Sequence, residues 1–479
     1  MQNLENNLQN SLDENLATPD YRKSLGWDWY LVLGSFAIFA IAIALHFWQL
    51  GKLPYPVFDE SLFGQYANEY LAGSPTWEGH PPLGKYFLMM GILIFGHNEI
   101  GYRVLGACFG SILPLLAIGL VYRLSYNRNF ALLSGLFLGS DGLFLVESRL
   151  GLINVFLVSF GLISQIFFLA SLEHKSKLRT FLLCCSGIML GAAASVKWNG
   201  LGFSLLVFLI VLLVSAIAKF FPKKLSKLGL LAEITTIHWW QYLFCLIPSA
   251  IAFYLVQWIP LFMLNSGGVE PANGFGAIFS FWESLVRVHA HIIWWHSGDI
   301  VTTLDPEHPA HPYCSSAISW AVMARPVGYY FTTEADGRYS VMQGIGNPLL
   351  WWFSTLAIVS VTVGSLLPKF RKTTNIGSTN YLLLGYFANY VPWLLVKRCL
   401  FVYHYMSSAV FSFVTLAWVV NQLLEQKGVC RYLGYAIIAI VVLTQIFFLP
   451  IWIGIPILPS EFYQRIWFMP DKIPGFNWI

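Results

Sequence analysis

Apolar residues gather into eleven runs approaching or reaching the 17–25 residues that cross a bilayer as helix. They begin near Trp29, Gly101, Phe130, Leu150, Phe181, Leu201, Trp239, Pro348, Tyr381, Phe401 and Leu433. The pattern predicts an all-α polytopic membrane protein, with spans one to seven inside 27–264 and eight to eleven inside 348–479. Polar positions concentrate in two connections, 51–100 and 265–347. The second is too long for an ordinary loop and reads as functional or as a small subdomain. Residues 1–26 begin Asn/Gln-rich and acidic, which predicts a disordered cytoplasmic tail rather than a cleaved signal peptide.

Orientation follows from the basic residues. With the N-terminus inside, alternate connections carry Arg22/Lys23, Arg123/Arg128, Lys175/Lys177/Arg179, Lys219/Lys223/Lys224/Lys227, Lys369/Arg371/Lys372 and Lys427/Arg431, which is 16 of the 28 Lys and Arg. Every inner connection is then basic, and both long polar segments and the C-terminus fall outside. Composition agrees: 57% of residues are hydrophobic and 11% charged, against about 25% charged in a soluble domain. Of the seven cysteines, only Cys314 stands clearly in a polar loop, without an evident partner, so neither a disulfide framework nor a CxxC metal site is expected.

Candidate chemistry centres on FDESLFGQYANEYLAGSPTWEGHPPLGKY, positions 58–86. Pro54 and Pro56 end the first span, Asp59 stands where an N-cap belongs, and Leu62, Phe63, Tyr66 and Tyr70 line one side of a short interfacial helix. Acids in a first helical turn are favourable through capping and the helix dipole alone, by about 0.3–1 kcal/mol. Yet Arg103, Asp141, Glu147, Arg149, Lys197, Arg325, Lys397, Arg398 and His404 also fall at span edges or in outer loops, where ionisable groups pair with one another or serve a site. Adjacent acids on a helix point about 100° apart and do not converge on one atom. A phosphate leaving group needs no general acid, so one carboxylate base and several phosphate-holding cations suffice for transfer from a lipid-phosphate donor. Asp59 is the candidate base and Glu60 its support. Arg103 could orient the pair or merely snorkel, and Arg149 could equally pair with Glu147. His289, His291, His296, His308 and His311 lack an HExxH or acidic cluster, and Trp294/Trp295 beside them suggest an interfacial anchor. Asp305, Glu307 and His308 read as a solvated run. No metal or other cofactor is expected, a divalent ion remaining the alternative.

Phe58-Asp59-Glu60 with Phe63-Gly64, then His80-Pro81-Pro82-Leu83-Gly84-Lys85, resembles the protein O-mannosyltransferases. The similarity continues through Arg103, Ser148-Arg149, His311-Pro312-Tyr313, Trp320, Arg325-Pro326-Val327, Tyr390-Val391-Pro392-Trp393 and Arg398-Cys399-Leu400-Phe401-Val402-Tyr403-His404-Tyr405. The resemblance implies a C-type glycosyltransferase bundle of about eleven helices, a polyprenyl-phosphate donor, typically of mannose, Ser/Thr hydroxyl acceptors on secreted or membrane proteins, and single displacement with inversion. By the same resemblance Asp59 and Glu60 are catalytic, with His80, Lys85 and Arg103 supporting the base or acceptor. Arg325, Arg398, His404, Arg149 and Lys197 would bind the donor phosphate. The outer loop is too short for the β-trefoil inserted in eukaryotic members, which implies a compact bacterial form in the cytoplasmic (inner) membrane with its site outside. No nucleic-acid partner is expected. A lipid or glycan acceptor is the alternative, and a transporter or flippase of lipid-linked sugars the rival class.

Overall fold

The computed structural model describes residues 28–54, 56–74, 79–264, 275–297, 311–367, 376–396, 398–469 and 475–479. The tail 1–26, the basic run Lys369, Arg371 and Lys372, Lys397, and Asp305, Glu307 and His308 lie outside the described residues. α1 (Trp29–Phe47) leads into α2 (Asp59–Leu71) and α3 (Leu83–Phe95). Next come α4 (Glu99–Ser125), α5 (Arg128–Gly139), α6 (Gly142–Arg149), α7 (Asn154–Leu172), α8 (Lys177–Val196), α9 (Leu201–Phe220) and α10 (Trp239–Met263). Beyond them lie α11 (Phe275–Ser297), the antiparallel hairpin β1 (Gly328–Thr333) and β2 (Tyr339–Gln343), α12 (Pro348–Leu366), α13 (Ile376–Tyr390), α14 (Met406–Glu425), α15 (Val429–Ile453) and α16 (Pro459–Arg465).

All eleven apolar runs are helical, but they do not give eleven uniform spans. Among the described residues nine helices are long and apolar enough to cross a membrane, or ten if α5 and α6, bent by 59°, form one broken span. The described part of the ninth expected span, α13, has 15 residues. Asp141 causes the break: its carboxylate accepts from the Leu143 and Phe144 N–H groups, 3.1 Å each, and starts a new helix. Gly142 permits it, since a Cβ there would lie 2.0 Å from the Trp452 ring and 2.5 Å from the Ile345 carbonyl. Gly142→Val is therefore expected to cost about 1–3 kcal/mol through overpacking, read as a lower unfolding midpoint of the detergent-solubilised protein; an unchanged midpoint would show that α6 can shift freely.

Polar residues start several other helices too. Asp28 accepts from Tyr30 and Leu31 N–H, Asn98 from Ile100 and Gly101, Asn127 from Phe130 and Asn347 from Leu350. Each satisfies amide donors that no helical carbonyl can reach. α7 and α14 form the centre, with 78% of each apolar stretch buried, whereas α1 has 11% buried and turns residues such as Phe36 outward as a lipid-facing surface. A helix apolar on all sides suits either position, so packing decides which is central.

Three local expectations change. The connection 51–100 contains the additional apolar helix α3, whose 13 residues are too few to register as a span. Phe58, not Asp59, is the N-cap of α2, so Asp59 is its first helical residue. Cys314 is disulfide-bonded to Cys399, with Cα atoms 5.2 Å apart. The second cysteine sits at the edge of an apolar run, 85 residues away, where nothing local marks it as a partner. The expectation of no disulfide is corrected accordingly.

Candidate active site

The end of α1, the starts of α2 and α7, the α8–α9 junction and the segment 398–405 before α14 meet at one end of the bundle. Phe58 holds the entry to α2 in a left-handed conformation, φ 51°, a state that costs a non-glycine residue of order 1–3 kcal/mol. Four rings clamp it there: His311, Tyr313, Tyr329 and Phe401, with centroids 5.5, 6.5, 5.3 and 6.0 Å away.

The adjacent acids then diverge, as the helical angle requires. Glu60 is fully buried; its carboxylate accepts from Arg103 Nε and Nη2 at 2.7 and 2.9 Å, from Gly151 N at 2.8 Å and from Val57 N at 3.0 Å. Arg103 Nη1 also donates to the Leu53 and Leu50 carbonyls. Helix α4 thereby holds the descending loop and the first turn of α2 together.

Asp59 turns the other way. Its Oδ2 accepts from the Tyr403 hydroxyl at 3.2 Å. Burial raises its carboxyl above the ordinary 3.8, while Lys197, the Tyr403 hydrogen bond and His311 pull it back toward ionisation. Lys197 stands between α8 and α9, its Nζ 3.4 Å from Asn154 Oδ1 and 5.2 Å from the Tyr403 ring centroid. Asn154 donates to Glu147 at 2.9 Å, and the Tyr329 hydroxyl donates to the other Glu147 oxygen. The second carboxylate near Asp59 is thus engaged on both oxygens and buried.

A cationic and aromatic wall completes the site. Arg398 is half-buried, and among the described residues its guanidinium donates to the Cys399 carbonyl at 3.4 Å. His404 packs between Trp320 and Trp393, centroids 6.0 and 4.5 Å away, and its Nδ1 lies 2.9 Å from the Phe401 carbonyl. His80 stacks on His296 at 5.1 Å, and His296 Nε2 donates to Gly79 O at 2.7 Å. Burial, reinforced by Lys197, holds His80 well below 6.5, and burial with Arg398 brings His296 to about 4. Both rings are neutral at pH 7.

Asp59, Lys197, Arg398, His404 and His80 are therefore drawn together, with Glu60 and Arg103 behind them. Three further expected site residues are engaged by main-chain oxygens. Arg149 donates to the carbonyls of Leu45, His46 and Trp48 at 2.6, 3.2 and 2.7 Å, so it ties down the C-terminal end of α1, where a cation complements the helix dipole. Arg325 donates to the Pro312, Asn477 and Ile479 carbonyls and lies 4.8 Å from the Tyr313 ring. Lys85 is buried, with Nζ 2.5 Å from Pro81 O and 3.1 Å from His80 O. Those contacts engage Arg149 and Arg325 with main-chain oxygens and give Lys85 a part in shaping the His80 loop. His289 and His291, two residues apart on α11, diverge; His289 Nε2 meets the Tyr254 hydroxyl at 2.8 Å. Among the described residues no three His, Cys, Asp or Glu side chains are grouped to hold a metal ion.

Tyr403, Tyr329, Asn154 and His296 were not singled out as site residues from sequence. Tyr403 lay inside a quoted motif, and Asn154 is an amide in an apolar run, a usable signal. Tyr329 sits in a hairpin that no pattern connected with Asp59.

Residues 36–265 match the family model for dolichyl-phosphate-mannose-protein mannosyltransferase, and 281–470 the model for the C-terminal four-transmembrane region of protein O-mannosyltransferase. The polyprenol-phosphate-mannose–protein mannosyltransferase of Mycolicibacterium smegmatis is 24% identical over 90% of this chain and 91% of its own. Its counterpart in Mycobacterium tuberculosis is 24% identical over 89% of each. The fold is similar to a chain of the Saccharomyces cerevisiae Pmt1-Pmt2 complex bound to the sugar donor, with TM-score 0.75 at 14% identity over 94% of this chain and 93% of that one. It is also similar to Cupriavidus metallidurans ArnT bound to undecaprenyl phosphate, at TM-score 0.50 and 10% identity over 89% of this chain and 71% of that one. Two family models in sequence, alignments over nine-tenths of the chain and the shared fold lead to one statement: this multi-pass membrane protein belongs to the protein O-mannosyltransferase family.

Proposed function

We propose that this protein transfers a mannosyl residue from a polyprenyl phosphate to Ser or Thr hydroxyls of secreted or membrane proteins. The site would face outward from the cytoplasmic membrane of a bacterium, the orientation favoured by the basic inner connections. One observation carries the reading: Asp59 presents a carboxylate beside Lys197 and Tyr403, while the neighbouring Glu60 is turned away onto Arg103. A single base suits direct displacement. Asp59 takes the acceptor hydroxyl proton, the oxygen attacks the anomeric carbon, and the carbon–oxygen bond to phosphate breaks with inversion. Arg398 and His404 face the charge that develops on the leaving phosphate, which needs no proton. Lys197 keeps Asp59 ionised. Glu60 and Arg103 act as positioning residues through the α2 backbone.

The test is transfer of label from radiolabelled polyprenyl-phosphate mannose to a Ser/Thr-rich peptide by the purified protein in lipid. Labelled peptide supports the proposal. Donor consumption with label in lipid or glycan would move the acceptor class, and bound but uncleaved donor across acceptors and sugars would replace catalysis by transport.

The environment of Asp59 also sets a pH dependence. The base must be ionised, and its carboxyl lies above 3.8, so activity falls with acidification from a higher pH than an ordinary aspartate would give. Lys197 favours the ionised form; Lys197→Met removes that effect and is expected to move the acid limb of kcat/KM to higher pH. An acid limb left in place, or displaced to lower pH, would remove Lys197 from this role.

A further inference from the structure

The Cys314–Cys399 disulfide joins two segments that lie 85 residues apart in the chain. Cys399 adjoins Arg398 and begins the stretch that carries Tyr403 and His404. Cys314 leads into the turn of helix Ala317–Trp320. Ser315 N donates to Leu400 O at 2.8 Å, Trp320 Nε1 donates to Ser315 Oγ at 2.9 Å, and the Trp320 ring lies parallel to His404, 13° between planes. Among the described residues the Arg398 guanidinium donates to the Cys399 carbonyl, at a long 3.4 Å. A long side chain so lightly held relies on its backbone for placement. From this geometry we infer that the disulfide is a positioning device for Arg398, so that affinity for the phosphate of a polyprenyl-phosphate donor depends on the redox state of this pair.

The inference rests on the proposed role of Arg398. Cys399 is buried but Cys314 is half-buried, which leaves one sulfur open to attack by a reducing thiolate. Closing the bond takes two electrons and two protons from the thiols and passes them to a disulfide-bearing oxidant, which becomes a dithiol. Opening it with dithiothreitol returns two hydrogens to the cysteines and leaves the reagent as its cyclic disulfide. Without the bond, the Ser315–Leu400 contact and the Trp320 stack must hold the arm alone. An arm correctly placed about a tenth of the time binds its ligand about tenfold more weakly.

The experiment measures equilibrium binding of polyprenyl phosphate, without sugar, to the full chain in lipid, before and after dithiothreitol and again after reoxidation. Donor KM and kcat are followed in parallel. The expected result is a roughly tenfold weaker Kd and higher donor KM on reduction, with kcat within about twofold. Reoxidation restores the wild type, which also shows that it stayed folded; Cys314→Ser/Cys399→Ser stays weak throughout. In Arg398→Ala the binding is already weak and reduction adds little. An unchanged Kd in the reduced wild type overturns the inference, as does an equal loss in wild type and Arg398→Ala. Wild-type binding by oxidised Arg398→Ala would refute the phosphate assignment and the inference with it. Absence of mannosyl transfer alongside redox-dependent phosphate binding would instead refute the proposed reaction and leave the positioning role standing.

Discussion

Replacing Asp59 by asparagine is expected to reduce mannosyl transfer about 10²–10⁴-fold, the usual contribution of a positioned general base, while donor binding is nearly unchanged. That loss corresponds to about 2.7–5.5 kcal/mol of barrier. The substitution suits the question because the side-chain oxygen can still accept from Tyr403, 3.2 Å away, and the site keeps its shape. The amide cannot take the acceptor proton, and Lys197 loses its opposite charge. A fall in kcat with donor Kd preserved identifies a group that acts in the transition state. If more than about a tenth of the activity survived, below the range for a base, Asp59 would be displaced from the role. Glu147, engaged by Tyr329 and Asn154, would then have to be tested.

The largest stability effect should come from Arg103→Met. Arg103 and Glu60 are about 1% and 0% exposed and joined by two bonds of 2.7 and 2.9 Å. Removing one partner of a buried ion pair costs about 3–5 kcal/mol, because the other charge stays buried without compensation. Here the Leu50 and Leu53 carbonyls lose their donor as well. Glu60→Gln keeps the shape and leaves Arg103 its Leu50 and Leu53 carbonyl acceptors, although its single oxygen can accept from only one of the Val57 and Gly151 amides, so it should destabilise less than Arg103→Met. Thermal unfolding of the solubilised variants reads the difference. A midpoint for Arg103→Met equal to wild type would show that the pair does not hold the loop that delivers Asp59.

Much of the architecture was legible because a bilayer imposes length and polarity on every crossing segment. The apolar runs beginning near Trp29, Gly101, Leu150, Phe181, Leu201, Trp239, Pro348, Phe401 and Leu433 correspond to helices of spanning length. Where a local device interrupts the pattern, hydropathy is blind to it: Asp141 and Gly142 break a run that reads as continuous, and the 13 residues of α3 fall below the length that defines a span.

For the site, the chain supplies residue types and the fold assigns them partners. The divergence of Asp59 and Glu60 follows from 100° per residue on a helix and was readable in advance. That Glu60 faces Arg103 while Asp59 faces Tyr403 was not, since those contacts span 43 and 344 residues. The three arginines at issue show the same limit. Arg149, Arg325 and Arg398 look alike as cations near the ends of apolar segments. Backbone carbonyls engage the first two, whereas among the described residues the third meets its neighbour's carbonyl, 3.4 Å away.

By itself the sequence determined a helical membrane protein, the family signature and the residue types gathered at one site, because periodicity, span length and motif order are properties of short stretches. Only the tertiary structure decided which span breaks, which helices are central, that Cys314 meets Cys399, and which partners each buried charge meets. Each of those depends on atoms that approach across tens to hundreds of residues, and a buried charge takes its role from the partner the packing brings within about 3 Å.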